Sequence, residues 1–160
     1  MSLTLTQLQI LKADIAADPA LNGLPQTSDG AFEVAAAYNL LKIPAYAVWR
    51  NQVPVKEVKQ NIVWTEYIAS VSAAERDAFV FMLSNGFIDA GDANIRQGFQ
   101  DIFSGPQKVN TRNNMVAMSK RDALRIEALL AIGAGTNGSP STLTHEGMIG
   151  YQDIVKAWGS

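Results

Sequence analysis

Apolar positions recur at helical spacing over most of the chain, and the residues between them mark where each helix starts and stops. Leu8, Leu11 and Ile15 fall at i, i+3 and i+7, leaving Gln9, Lys12 and Asp14 largely off that stripe. Thr4 and Gln7 have the spacing of a capping box, and Leu3 and Leu8 that of a hydrophobic staple. Asp18-Pro19 ends this first helix, because the residue before proline is pushed out of the helical region. A second helix is expected over about 31–41, capped by Ser28 or Asp29, with small residues from Ala35 to Ala37 that permit close approach. It stops before Ile43-Pro44. The run Pro44-Ala45-Tyr46-Ala47-Val48-Trp49-Arg50 is dense in aromatic and β-branched residues and reads as a short buried strand and corner.

Beyond it, Pro54 suits the start of a short helix whose inner face is Val55, Val58 and Ile62. Trp64 and Tyr67 follow. Ser72 and Glu75 repeat the capping-box spacing ahead of a helix with Phe79, Met82 and Leu83 inward, closed by Asn85-Gly86. Asp92 caps a helix in which Ile95, Phe99 and Ile102 share a stripe, and Gly105-Pro106 terminates it. The longest helix is expected over 112–132, opened by Asn110 or Thr111, with Met115, Met118, Ile126 and Leu129 on one stripe that Asp122 interrupts. Residues 134–142 are turn formers and read as a mobile loop. Residues 143–149 are expected to be extended and to pair with Tyr46 to Arg50, before a final helix introduced by Gly150 that buries Ile154, Val155 and Trp158. The sum is an all-α fold, a single multi-helix domain over residues 1–160 with about six or seven helices and a small two-stranded β element.

Composition narrows function mainly by exclusion. With 160 residues, 48% hydrophobic and 18% charged, the chain can bury a real core. One histidine and no cysteine remove disulfide scaffolds, Cys-based zinc sites, thiol nucleophiles and multi-His metal centres, so no metal or cofactor is expected. The net charge of −2 argues against a main task of coating nucleic acid. No apolar run approaches the ~18 residues of a membrane-spanning helix, and the first residues lack a basic, apolar leader pattern, so neither membrane insertion nor secretion is expected.

Few constellations invite chemistry. Gly133-Ala134-Gly135-Thr136-Asn137-Gly138 matches G-x-G-x-x-G, but it leaves a helix and enters Ser-Pro-Ser-Thr rather than linking a strand to a helix, so it reads as a loop. His145-Glu146 would place an imidazole beside a carboxylate. Neighbours on an extended segment point to opposite faces, and a surface or interface histidine is the better reading. Asp14 and Asp18 read as helix-surface charges beside Lys12. Lys108, Arg112, Lys120, Arg121 and Arg125 form a basic concentration in which Arg121 and Arg125 would share a helix face. It reads as a solvated flank paired with its own carboxylates; contact with DNA or an acidic partner surface is the rival.

Several short motifs together resemble a family of small proteins of tailed bacteriophages and prophages. They are Ala13-Asp14-Ile15 with Asp18-Pro19, Ala37-Tyr38-Asn39, Pro44-Ala45 leading to Val48-Trp49-Arg50, and Val53-Pro54. Then come Ile95-Arg96 with Gly98-Phe99 and Ile102-Phe103, Thr111-Arg112, Lys120-Arg121 with Ala123, Glu127, and Glu146-Gly147. The resemblance implies a virion-gene neighbourhood and brings no catalytic residues with it. It implies a non-enzymatic structural protein, a head-tail connector, neck or head-completion subunit, present in the host cytoplasm during assembly and then in the virion. Its expected partners are copies of itself and other virion proteins. The alternatives are a capsid-decorating or tail-associated component and a small regulator that binds a host protein or DNA. The residues assigned to partner contact are Tyr46, Trp49, Arg50, Lys120, Arg121, Arg125, His145 and Ile149.

Overall fold

The computed structural model describes residues 2–160, and among these the chain forms nine α-helices and two small sheets. In chain order the elements are α1 (Leu5–Ala17), α2 (Ser28–Tyr38), β1 (Ala47–Trp49), β2 (Val53–Pro54), α3 (Val55–Gln60), α4 (Trp64–Ser70) and α5 (Ala73–Met82). They continue with β3 (Phe87–Ile88), α6 (Ala93–Ile102), α7 (Val109–Met118), β4 (Lys120–Asp122), α8 (Arg125–Leu130) and α9 (Tyr151–Gly159). The protein is thus mostly helical with a little sheet. Backbone contacts divide it into two units: unit 1 holds the described residues up to Val48 and Asp122–Ser160, and unit 2 holds Trp49–Arg121.

Unit 1 packs α1, α2, α8 and α9 around Leu11, Val34, Tyr38, Ile126 and Ile154, all fully buried. The first helix forms as its pattern predicts. Thr4 Oγ1 accepts from Gln7 N at 3.3 Å, Gln7 Oε1 accepts from Thr4 N at 2.9 Å, and Leu3 and Leu8 are both buried beneath this box. Helix α2 starts earlier than expected, because Thr27 and not Ser28 or Asp29 supplies the capping oxygen, at 3.4 Å from Gly30 N. In α9, Val155 faces out and Ala157 lies in the core beside Ile154.

Unit 2 holds α3 to α7 and the antiparallel pair of β2 and β3, in which Val53 faces Ile88. Its core is aromatic: Phe79 meets Phe103 edge-on at 5.4 Å and Phe99 at 6.0 Å. The capping box of α5 is present, with Ser72 N donating to Glu75 Oε2 at 2.6 Å. Asp92 caps α6 by accepting from Asn94 N at 2.7 Å.

Two expectations are corrected by the structure. First, there is no single helix over 112–132. It divides into α7 and α8, and with α4 standing as a separate helix the total rises to nine rather than six or seven. The division has a local contribution and a distant one: Ser119 Oγ donates back to Met115 O at 2.6 Å, and the next residues take partners far along the chain as extended backbone. Ser119 O accepts from Arg50 N at 3.0 Å, Ala123 N donates to Tyr46 O at 2.9 Å, and Arg125 N donates to Leu40 O at 2.8 Å. Arg121 and Arg125 therefore do not share a helix face.

Second, the partner of β1 is β4, not residues 143–149. Those residues are irregular; only Ser141, just before them, bridges to Val48. Their polar backbone is satisfied mainly by side chains. Asn39, at the end of α2, acts as a surrogate strand, donating to Ile149 O and accepting from Ile149 N, each at 2.9 Å. Glu127, 1% exposed, accepts from Leu124 N at 2.9 Å and from Gly147 N at 2.7 Å.

That buried carboxylate yields a prediction. Glu127→Ala strands two backbone donors at about 1–3 kcal/mol each, so the variant should lose about 2–6 kcal/mol in urea unfolding. A loss under about 1 kcal/mol would mean that these donors are satisfied otherwise.

Candidate functional site

Four chemistry-bearing groups meet in unit 1, at the first turn of α8. Arg125 Nη2 donates to Asp14 Oδ2 at 3.0 Å and to Asp18 Oδ2 at 2.8 Å, and its guanidinium lies 4.3 Å from the centre of the Tyr38 ring. The Tyr38 hydroxyl donates to Asp14 Oδ2. Burial, together with the adjacent Asp14 carboxylate, pushes the Tyr38 hydroxyl well above its usual range, which leaves it protonated as a donor. The Ala20 N–H, followed by Arg125, holds the Asp18 carboxyl below its ordinary value. Asp14 and Asp18 are therefore not idle surface charges; spaced four apart on and just past α1, they grip one guanidinium. The arrangement is a strut between α1, α2 and α8.

In unit 2 an open groove of about 610 Å³ runs between α6 and α7. Gln97, Gln100 and Asp101 line one side, Arg112 and Asn113 the other, and Lys120 of β4 also lines it. Trp49 sits beside it beneath the guanidinium of Arg96, at 4.6 Å from the ring centre, and Arg96 Nη1 donates to Ala90 O and Gly91 O at 2.7 and 2.8 Å.

The residues assigned to partner contact do not form one surface within either unit. Tyr46 is half-buried, and its hydroxyl bridges Gly133 O at 3.1 Å and Ser141 Oγ at 2.8 Å. Its ring lies where a side chain on Gly135 would be, 2.1 Å from the Cβ position, and Gly135 has φ of +66°. Residues 133–142 are thus anchored by this ring, by Ala47 N donating to Gly135 O at 2.7 Å, and by the paired hydrogen bonds of Ile132 with Thr142. Arg50 is spent on a two-pronged pair with Glu57 at 2.6 and 2.9 Å, and Arg125 on its clamp. His145 is buried with Nε2 3.1 Å from Gly147 O, which corrects its reading as a surface residue, while Glu146 is exposed. Ile149 is core. Lys120 and Arg121 are half-buried in β4.

The basic concentration is broken up in the same way. Lys108, far from solvated, is buried; its ammonium meets Glu75 Oε1 and Ile102 O, each at 2.7 Å. Arg125 is committed likewise, so Lys108 and Arg125 are each held by carboxylates distant in sequence. Among the described residues no group of three or more His, Cys, Asp or Glu side chains is placed to hold a metal ion, and no helix is long and apolar enough to cross a membrane.

Large apolar side chains in solvent were missed by the sequence reading. Leu40, Leu41 and Ile43 project from the turn after α2, with Ile43 87% exposed. In unit 2, Trp64 and Ile68 of α4 and Val80 and Phe81 of α5 do the same, with Phe81 80% exposed. A signal was present: Ala78-Phe79-Val80-Phe81-Met82-Leu83 is a longer apolar run than one helix face can bury. No protein-family model, curated protein or solved structure matches the chain.

The Lys108 and Glu75 pair gives a pH test. The Lys108 ammonium, then Ser72, hold the Glu75 carboxyl down to about 2 from an ordinary 4.5. A depressed folded-state value means that the contribution is complete above 4.5 and is lost as pH falls toward 2. The stability gap between the parent and Glu75→Gln should therefore shrink steadily across that window in urea titrations. A gap that stays constant would refute the assignment.

Proposed function

We propose that this protein is a non-enzymatic structural subunit of a phage particle, a head-tail connector, neck or head-completion component. In this reading residues 1–160 form one all-α building block that works through contacts with copies of itself and with neighbouring virion proteins. It acts in the host cytoplasm during assembly and remains in the virion. The observation that carries the reading is the grouped display of large apolar side chains on fixed backbone.

The turn bearing Leu40, Leu41 and Ile43 is tied along one side to residues 123–125 by an antiparallel bridge. Arg125 N donates to Leu40 O, Lys42 N donates to Ala123 O at 2.9 Å, and Leu41 bridges Leu124. The main chain that carries these side chains is therefore already ordered in part before any docking. Trp64 and Ile68, four apart on α4, and Val80 and Phe81 on α5 add apolar groups in unit 2. Groups of this kind mark contact sites more often than idle surface. The polar side chains that could do chemistry in unit 1 are meanwhile engaged in its own scaffold, with Arg125, Asp14 and Tyr38 bonded to each other. The phage assignment itself rests on the motif resemblance, and the apolar display supports the contact-forming role.

Light scattering of the purified chain should give a mass above that of one copy. Ile43→Glu, or Phe81→Glu, should lower it while leaving helical circular dichroism intact. Mass spectrometry of intact particles should detect the chain. A strict monomer that is absent from particles overturns the proposal.

A further inference from the structure

The groove between α6 and α7 has a lining that the contact-forming role does not use. On the α6 side, Gln97 and Gln100 stand one turn apart, and Gln97 Nε2 donates to Asp101 Oδ1 at 2.8 Å. On the α7 side, Arg112 Nη1 donates to Phe103 O at 3.2 Å, which fixes the guanidinium against the wall while engaging one of its nitrogens. Asn113 lies beside it, Lys120 of β4 also lines the groove, and Val116 adds an apolar surface. The lining carries two cations, Arg112 and Lys120, against one carboxylate, Asp101, in a chain whose net charge is −2.

We propose that this groove docks an acidic, extended segment of a partner protein. A guanidinium held in one plane offers paired donors to a carboxylate, and charge-assisted pairs of this kind are the stronger hydrogen bonds. Carboxamides offer both a donor and an acceptor, which is what an extended peptide backbone presents in return. Gln97, Gln100 and Asn113 meet that need on both walls.

Nucleic acid fits less well. A phosphate track calls for several converging cations, and this lining has only Arg112 and Lys120. The nearby Trp49 ring lies beneath Arg96 and offers no free face on that side for stacking a base.

The test is fluorescence anisotropy of a labelled peptide of alternating Glu and Ala titrated with the full chain. The matched Gln-Ala peptide and a labelled oligothymidylate serve as comparisons. The Glu peptide should bind, more weakly as salt rises, and the Gln peptide should not. Arg112→Gln should weaken binding about tenfold, the loss expected for one charge-assisted hydrogen bond. Asp101→Asn, an exposed helix position that leaves the fold's own ties in place, should tighten it, so the test stands even if Arg112→Gln fails to fold. No binding, equal binding of the Gln peptide, no tightening by Asp101→Asn, or preference for oligothymidylate would each overturn the proposal. A chain that self-associates and enters particles yet ignores the Glu peptide loses only the groove, so the two proposals fail separately.

Discussion

The first turn of α8 is the constraint on which unit 1 depends. A helix of six residues is far too short to persist alone, since nucleation outweighs the few hydrogen bonds it gains. It exists because three successive residues are each held from elsewhere. Arg125 reaches Asp14 and Asp18 of the α1 region and lies over Tyr38 of α2, Ile126 enters the core, and Glu127 gathers its own N-terminus and Gly147. Asp14 and Asp18 keep 36% and 20% of their side-chain surface, so screening tempers the ion pairs. Fully buried Glu127 has no such relief. Its worth lies in the cost of stranding what it binds.

Unit 2 solves the same problem by different means. Three phenylalanines, Phe79, Phe99 and Phe103, supply its centre, and polar side chains tie the short helices at their ends. Lys108 joins α5 to the end of α6 through Glu75 and Ile102 O, and Glu66 of α4 accepts from Thr111 N at 2.8 Å near the start of α7. Each tie satisfies a helix terminus that would otherwise be left with unpaired backbone groups. Rigidity in this unit comes from such ends as much as from the aromatic centre.

This economy bears on what the surface is free to do. Arginines and acids that look available in the sequence are consumed internally, while apolar residues that look like core are left in solvent. Leu40, Leu41 and Ile43 sit on a turn that two backbone hydrogen bonds tie to residues 123–125, and their side chains face solvent. The α6 and α7 groove, by contrast, is lined with amides, two cations and a carboxylate.

The helices with strong local grammar were legible in the sequence alone. The boxes Thr4 with Gln7 and Ser72 with Glu75, the stop at Asp18-Pro19, and the stripes of Leu8, Leu11 and Ile15 and of Phe99 and Ile102 all depend on residues within a turn or two of each other. Their physics is local, and so is their signal. What only the tertiary structure decided is the fate of groups whose partners lie far along the chain. The break at Ser119, the pairing of β1 with β4, the burial of His145 and the commitment of Arg125 to carboxylates 111 and 107 residues away are examples. Spacing along a chain records which residues share a face. It does not record which distant hydrogen bond will outcompete the next turn of helix.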